Sequence, residues 1–173
     1  MKQELNLLDG YTPTSDLFND AKQIIEVSQK AAYRAVNLAL VQRNWLLGYR
    51  IAQEELKGEG RSEYGTAVIR KLAKGLTAEY GKGFDYSSLY KYFRFYKLYP
   101  GIVDSVSPQS GALLSWTHYR VLLQVEDKTA RDWYTKEAAN QTWSVRTLQR
   151  NISSQYYYRL LKSQNQEPVK QEM

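Results

Sequence analysis

The chain of 173 residues contains no cysteine and a single histidine, and it carries 24 Lys and Arg against 18 Asp and Glu. Without cysteine, a thiol nucleophile, a disulfide scaffold and a thiolate-ligated metal are excluded, and one histidine cannot build a multi-histidine site. A metal site would therefore depend on carboxylates. The net charge of +6 is unevenly spread, because residues 61–100 hold eight basic and three acidic groups. A polyanion is expected to bind there first.

The sequence shows no sign of membrane insertion or export. No segment approaches the run of about 20 apolar residues that crosses a bilayer. The first residues also lack the apolar stretch and small-residue cleavage site of a signal peptide. We expect a soluble protein of the cytoplasm that does not bind membranes.

The first predicted helix is unusually long. Residues 1–15 are expected to form a flexible arm, with Thr14 or Ser15 capping a helix that runs from about residue 16 to 56. Its apolar stripe consists of Leu17, Ala21, Ile24, Ile25, Ala31, Ala35, Leu38, Ala39, Trp45, Leu46 and Tyr49. At 1.5 Å per residue the helix would be about 60 Å long, so it must project, kink or pack against a partner. Gly48 is a candidate position for a break.

Five further helices are predicted from apolar spacing, and the last four of them have a capping residue at the start: Asp85, Ser115, Asp127 and Ser144. They begin near Ser62, Tyr86, Trp116, Lys128 and Val145, and the last continues through Ile152 toward Leu161. Residues 81–83 end the second helix, so that the second and third helices have the layout of a helix-turn-helix. Residues 101–114 are read as a loop and residues 163–173 as a polar linker. The expected fold is thus an all-α bundle over residues 16–162.

No set of catalytic residues emerges from the sequence. The acidic pairs at residues 54–55 and 126–127 lie at predicted helix ends, where adjacent side chains point in different directions. The glycines of residues 58–60 and 81–83 follow helices rather than strands, so neither group resembles a phosphate-binding loop. His118 falls in the first turn of the fourth helix. There we expect a packed, hydrogen-bonded corner rather than a base contact or a catalytic role.

The basic segment combines positive charge, aromatic residues and a helix-turn-helix layout. On the third helix, Leu89, Phe93 and Tyr96, with Tyr92 beside them, are predicted to face the core, which leaves an outer face suited to phosphates and base edges. The second helix adds Arg70 beside Lys71 and Lys74, and these side chains suit the flanking DNA backbone. The candidate DNA-binding residues are Lys71, Lys74, Lys82, Tyr86, Ser87, Tyr90, Lys91, Arg94 and Lys97, with Arg146 and Arg150 on the last helix as a second surface. Arg94 is a candidate for a bidentate contact to guanine. The alternative is a solvated basic face with no partner.

Several motifs along the chain are shared with one family. They are Tyr64-Gly65, Gly83-Phe84-Asp85, Arg94-Phe95-Tyr96, Leu114-Ser115-Trp116-Thr117-His118-Tyr119, Arg131-Asp132-Trp133-Tyr134 and Trp143-Ser144-Val145-Arg146-Thr147-Leu148. In this order and spacing they resemble the N-terminal domain of the bacterial YhcG family, long catalogued as domain of unknown function 1016. The resemblance extends over about residues 21–161.

The resemblance implies a helical, winged-helix-like DNA-binding module that precedes a PDDEXK nuclease domain. In that family the metal-dependent chemistry, with a divalent cation such as magnesium, belongs to the second domain. The present chain has no Asp followed by a Glu-x-Lys motif on strands. We therefore expect no cofactor and no nuclease activity in these 173 residues.

Two functions of different classes compete. The leading hypothesis is a non-catalytic module that targets a nuclease to duplex or branched DNA. The other is an assembly module whose first helix pairs with a second copy or another partner, since its stripe from Ile24 to Tyr49 exceeds what a small domain covers. An enzyme complete within this chain is the third and weakest hypothesis.

Overall fold

The computed structural model describes residues 11–57, 62–102 and 114–164, and its regular elements there are helices. They are α1 (Leu17–Leu56), α2 (Ser62–Tyr80), α3 (Tyr86–Leu98), α4 (Trp116–Leu122), α5 (Lys128–Asn140), α6 (Val145–Ser153) and α7 (Tyr156–Gln164), with a 3₁₀ turn at Lys82–Phe84. The all-helical class and the long first helix are confirmed. No strand occurs in the described ranges, so the winged-helix comparison stays a prediction. Most of the predicted arm, loop and linker lies outside these ranges.

None of the helices in the described part of the chain is both long enough and apolar enough to cross a membrane.

Two clusters of buried side chains form the core. The larger one joins α1 and α3 to α4, α5 and α6, through Val41, Phe95, Leu114, Tyr119, Leu122, Leu123, Ala130, Tyr134, Ala138 and Leu148. The smaller one joins α1, α2 and α3 through Ile51, Ile69, Ala73, Leu89 and Tyr92. Trp116 packs against both clusters. Helices α1 and α3 each contribute buried residues to both clusters, so these two helices connect the two halves of the core.

Helix α1 continues through Gly48, and the predicted break there is wrong. Gly48 instead lies where α1 and α3 cross closely. A Cβ atom at Gly48 would lie 2.0 Å from the carbonyl oxygen of Tyr92 and 3.1 Å from the Cβ of Tyr96. These distances are far below van der Waals contact, so only glycine allows the α1 and α3 backbones to approach this closely.

The predicted stripe of α1 is not its buried face. The residues of α1 that the domain buries are Asp20, Val41, Asn44, Gly48, Ile51 and Ala52. Apart from Asp20, they lie in the C-terminal half of the helix. Leu17, Ile25 and Leu46 of the predicted stripe are exposed. The helix therefore projects from the domain, one of the three arrangements expected from its length.

Asp16, rather than Thr14 or Ser15, caps α1. Its carboxylate accepts hydrogen bonds from the backbone N–H groups of Phe18 at 3.0 Å and Asn19 at 3.1 Å. Thr14 instead donates its hydroxyl and its N–H to the Asp20 carboxylate. These hydrogen bonds hold the pKa of Asp20 below its usual range. The predicted caps of α3, α5 and α6 are confirmed.

The predicted last helix is two helices. Helix α6 ends at Ser153, and α7 begins after Gln155, whose φ of +51° interrupts the helical path. A side-chain-bearing residue in this left-handed region ends a helix as glycine commonly does. Helix α7 then extends to Gln164, beyond the predicted start of the linker at residue 163.

Three consecutive tyrosines at the start of α7 divide between core and surface. Tyr156 and Tyr157 pack against the larger cluster. Tyr158 is exposed and donates its hydroxyl to the Asp127 carboxylate at 2.9 Å. This bond ties α7 to the N-terminus of α5.

The Gly48 crossing gives a direct stability test. We expect Gly48→Ala to destabilise the protein by about 3 kcal/mol, because the new methyl group overpacks against the rigid backbone of Tyr92. Gly75→Ala is the matched control, since a Cβ there meets nothing within 4 Å. It should stabilise α2 by up to about 1 kcal/mol. Urea unfolding followed by circular dichroism measures both, and equal stability of Gly48→Ala and the native chain would contradict the close crossing.

Candidate nucleic-acid interface

The turn between α2 and α3 is fixed by the backbone at Gly81 and by the Asp85 cap. Gly81 has φ +87°, in the left-handed region that glycine tolerates, and its N–H closes the last turn of α2 on the Thr77 carbonyl at 3.0 Å. The Tyr92 hydroxyl donates to the carbonyl of Gly83 at 3.1 Å. Helix, tight turn and helix therefore follow one another as the sequence predicts, and the turn is anchored to the buried side of α3.

Asp85 starts α3 by accepting a hydrogen bond from the backbone N–H of Ser88 at 2.7 Å. This bond lowers the pKa of Asp85 below its usual range, with further contributions from the Ser88 side chain and the charge of Lys91. The cap fixes the first turn of α3, which carries two candidate residues, Tyr86 and Ser87.

Three aromatic rings form a row along the outer side of α3, which we call the aromatic row: Tyr86, Tyr90 and Phe93. The first two rings stack with centroids 6.2 Å apart and planes at 10°, and the third follows at 6.3 Å from Tyr90. Arg70 of α2 lies over the Tyr86 ring at 5.9 Å, and Lys97 lies over the Phe93 ring at 5.3 Å. The row thus has a cation at each end.

The buried face of α3 explains why this row is on the outside. Leu89 and Tyr92 are buried as predicted, and the half-buried Phe93 packs against the smaller core cluster, also as predicted. Phe95 is fully buried although the prediction omitted it, and Tyr96 is half-buried. The close approach of α1 to the Tyr92 backbone fixes this orientation of α3, and it leaves Tyr86 and Tyr90 exposed.

The lysine candidates differ in their surroundings. Lys71, Lys74 and Lys82 are exposed on α2 and the turn. Lys91 is half-buried and donates to the Ser87 hydroxyl at 3.1 Å. Lys97 lies 3.8 Å from the Glu55 carboxylate of α1, so part of its charge is balanced within the protein.

The arginine candidates lie apart from the aromatic row. Arg94 is half-buried and donates to the carbonyl of Leu123 at 3.0 Å, next to the C-terminus of α4. A cation there also suits the negative end of the helix dipole. Arg146 and Arg150 are exposed on α6, which packs against α4, α5 and α7. The base contact predicted for Arg94 stays a prediction, and the observed bond joins α3 to α4.

Phe93 is a member of this surface that the candidate residues omit, whereas Arg70 was expected on α2 as a contact to the flanking DNA backbone. The spacing of the aromatic residues at 86, 90 and 93 was the available signal, since positions four and seven residues apart share a helix face. Arg70 follows from no spacing within α3. Its place beside Tyr86 depends on how α2 packs against α3.

His118 occupies a hydrogen-bonded corner, which confirms the structural role expected for it. Its Nδ1 accepts the N–H of Ser115 at 3.3 Å and lies 2.7 Å from the Ser115 hydroxyl. Its Nε2 lies 2.9 Å from the carbonyl oxygen of Trp143. Because a carbonyl can only accept, the ring carries its hydrogen on Nε2. The imidazole joins the start of α4 to the residue before α6.

A buried arginine was not anticipated from the sequence. Arg131 is 3% exposed, and its Nη1 donates to the carbonyls of Val125 at 2.9 Å and Glu126 at 3.2 Å. Its guanidinium lies 6.0 Å from the centroid of the Tyr99 ring. Burial of Tyr99 raises the pKa of its phenol to about 12. Arg131 begins one of the motifs that the chain shares with the family, and these contacts give this residue a role in packing.

Within the described ranges, no group of three or more His, Cys, Asp or Glu side chains is arranged to hold a metal ion. The outer side of α2 and α3 carries exposed lysines, two exposed phenols and a stacked aromatic row.

The comparisons with known proteins agree with the motifs. The model of the family described as DUF1016 N-terminal domain matches residues 20–159. A protein of Escherichia coli (strain K12) named "Putative nuclease YhcG" is 27% identical over 176 residues, which cover 86% of this chain and 47% of that protein. The chain thus spans about half the length of this relative. No solved structure matches the chain.

The Asp85 cap can be tested separately from binding. Asp85→Ala should cost about 1 kcal/mol of stability at pH 7, and Asp85→Asn much less, because asparagine retains the acceptor oxygen. Since folding lowers the pKa of Asp85 below 3.8, its contribution is present above that pH and is lost as the pH falls through the folded-state pKa.

The stability gap between the native chain and Asp85→Ala should therefore narrow below about pH 3.8. Urea titrations at pH 7 and pH 3 measure it. A gap that is constant with pH would show that the carboxylate does not cap α3.

Proposed function

This chain belongs to the DUF1016 N-terminal domain family, and we propose that it is a non-catalytic module that targets a nuclease to DNA through the outer face of α2 and α3. The observation that carries the proposal is the aromatic row, which ends on Arg70 and Lys97 and has exposed lysines beside it. Stacked rings and cations on one helix face are the groups that contact bases and phosphates in nucleic-acid-binding proteins.

Phosphate binding is assigned to the lysines. Lys71 and Lys74 on α2, Lys82 in the turn and Lys91 on α3 would each neutralise a backbone phosphate. Their side chains are long and flexible, so they contribute attraction more than geometry. Lys97 shares its charge with Glu55, and we expect a smaller contribution from it.

Base contacts are assigned to Tyr86, Ser87 and Tyr90. The two phenols present both a flat ring and a hydroxyl, and Ser87 adds a small hydrogen-bonding group between them. A helix of this kind can approach the edges of a groove in duplex DNA. The exposed edge of the stacked pair can also receive an unpaired base, which branched DNA offers and a continuous duplex does not.

We propose that α2, the 3₁₀ turn and α3 act as a helix-turn-helix that presents these groups, with Arg146 and Arg150 of α6 as a second contact to flanking DNA. Catalysis, and the divalent metal it requires, we assign to another segment of such proteins. The matched Escherichia coli relative carries the name "Putative nuclease YhcG", and the aligned part covers 47% of its length. We propose no nuclease activity for this chain by itself. Magnesium-dependent nicking of DNA by the chain would contradict the assignment of catalysis to another segment.

The phosphate contacts predict a steep salt dependence. If about five phosphates are neutralised, a plot of log affinity against log salt should fall with a slope of about 4 to 5. The triple variant Lys71→Glu, Lys74→Glu and Lys91→Glu should abolish measurable binding while circular dichroism stays unchanged. Arg94 is left in place because it bonds to Leu123. Fluorescence anisotropy with a labelled duplex and a labelled four-way junction measures both effects.

The matched control for this charge reversal is the triple variant Lys128→Glu, Lys136→Glu and Lys162→Glu. It changes the net charge equally, and its sites are exposed on α5 and α7. We expect it to retain binding within a few-fold of the native affinity. Equal losses in the two triple variants, or a flat salt dependence, would contradict a defined site on α2 and α3.

The aromatic row predicts a loss of a different kind. Tyr86→Ala with Tyr90→Ala should weaken binding by about 10- to 100-fold, because base–aromatic stacking contributes about 1 to 3 kcal/mol for each base. The salt slope should stay unchanged, since no cation is removed. Tyr33→Ala on α1 is the control. A double variant that binds branched and duplex DNA like the native chain would remove the base-contact role from the row.

A further inference from the structure

An arginine of α1, absent from the proposed DNA contacts, packs against the turn before α3. The guanidinium carbon of Arg43 lies 5.2 Å from the centroid of the Phe84 ring. Phe84 ends the 3₁₀ turn and packs against the smaller core cluster, and Lys82 begins the same turn. Arg43 therefore places a cation of α1 beside the turn that carries one of the proposed phosphate contacts.

A buried amide fixes the orientation of this guanidinium. Asn44 is 0% exposed, and its Oδ1 accepts hydrogen bonds from Nε of Arg43 at 3.1 Å and from Nη2 at 2.9 Å. These bonds and the Phe84 ring restrain a side chain that is otherwise long and flexible. The guanidinium carries further N–H groups besides the two that Asn44 accepts.

The amide of Asn44 lowers the stability of the fold. Its Nδ2 has no hydrogen-bond partner in the part of the chain that the structure describes, and a buried donor without a partner is unfavourable. An apolar side chain would avoid this cost, but it would leave Arg43 without an acceptor. The hydrogen bonds of Asn44 thus serve the orientation of Arg43.

Two more cations belong to the same region. The Trp116 ring lies 5.2 Å from the Tyr92 ring, and Arg120 follows Trp116 by one turn on the same side of α4. Burial raises the pKa of the Tyr92 phenol, while the charges of Arg43 and Arg120 both oppose that rise, so both guanidinium groups lie near the hydroxyl. Lys82 is next in sequence to Gly83, whose carbonyl this hydroxyl contacts.

We call Arg43, Lys82 and Arg120 the turn cations. All three are exposed, and none of them belongs to an ion pair within residues 11–57, 62–102 and 114–164. The charge of Asp85 also acts on the Tyr92 hydroxyl, but its carboxylate is engaged as the cap of α3. The cations outnumber this single carboxylate, so the region attracts anions.

We propose that the turn cations bind a phosphate of the DNA strand, and that Asn44 positions Arg43 for this contact. The inference rests on the proposed function. It extends the DNA contact from the outer face of α2 and α3, over the turn, to α1 and α4. A planar guanidinium can donate to two phosphate oxygens at once, so the restrained Arg43 gives the strand a fixed point, while Lys82 and Arg120 add charge.

The salt dependence of DNA binding tests the contact of Arg43. In fluorescence anisotropy with a labelled duplex, Arg43→Gln should bind about 10-fold more weakly, and its slope of log affinity against log salt should be smaller by about 1. Arg43→Lys should keep the slope and lose part of the affinity. Arg34→Gln is the matched control, because Arg34 is exposed on the opposite side of α1. It should bind like the native chain.

The outcomes separate this inference from the proposed function. If the native chain binds with a steep slope and Arg43→Gln binds identically, the phosphate site is overturned and the contacts on α2 and α3 are unaffected. A weaker Arg43→Gln with an unchanged slope would mean that the arginine only holds the turn, which also overturns the site. A native chain that does not bind DNA removes the proposed function and this inference with it.

Asn44→Leu tests the positioning of Arg43. The variant keeps every charge, so the salt slope should match that of the native chain. Its affinity should fall about 3- to 10-fold, because the guanidinium loses its acceptor and must be ordered on binding. Urea unfolding should show no loss of stability, since the unpartnered Nδ2 is removed as well. Native affinity in the folded variant, or failure of the variant to fold, would overturn the role assigned to Asn44.

Discussion

The contact between Gly48 of α1 and the Tyr92 backbone of α3 is the constraint on which the rest of the structure depends. It brings two helix backbones together at a distance that no side chain at position 48 permits. With that contact made, Leu89, Tyr92 and Phe95 turn inward and link the two core clusters. Tyr86 and Tyr90 then face solvent. A helix crossing in the core thereby decides which groups the surface of α3 presents.

The candidate interface is held in place from several sides, and this favours recognition by a preformed surface. The Asp85 cap fixes the start of α3, the Tyr92 hydroxyl fixes the turn before it, and Arg94 joins its far half to α4. Side chains on a helix restrained in this way lose little conformational freedom on binding. The projecting part of α1 has the opposite character, because large apolar side chains such as Leu17 and Phe18 are exposed on it.

Local sequence signals predicted the helices well. The features that they did not predict depend on how the helices pack against one another. Capping side chains at Asp85, Asp127 and Ser144 marked helix starts because they act within a few residues. The helix break at Gln155 was not predicted, because it depends on a left-handed backbone conformation that no pattern of side chains indicates. Gly48 was misread as a break because glycine has a low helix propensity, and Phe95 was left out of the predicted core because it does not fit the chosen helical spacing. Their actual roles depend on the approach of α1 to α3, and the place of Arg70 beside Tyr86 depends on α2 in the same manner.

Lysine footprinting tests the central claim most directly. The chain is acetylated with and without a saturating four-way DNA junction at low salt, and the protection of each lysine is read by mass spectrometry. The account predicts that DNA protects Lys71, Lys74, Lys82 and Lys91, while Lys128, Lys136 and Lys162 keep the reactivity they have in the free protein. Uniform protection of all lysines, or protection confined to α5 and α7, would contradict a DNA-binding face on α2 and α3.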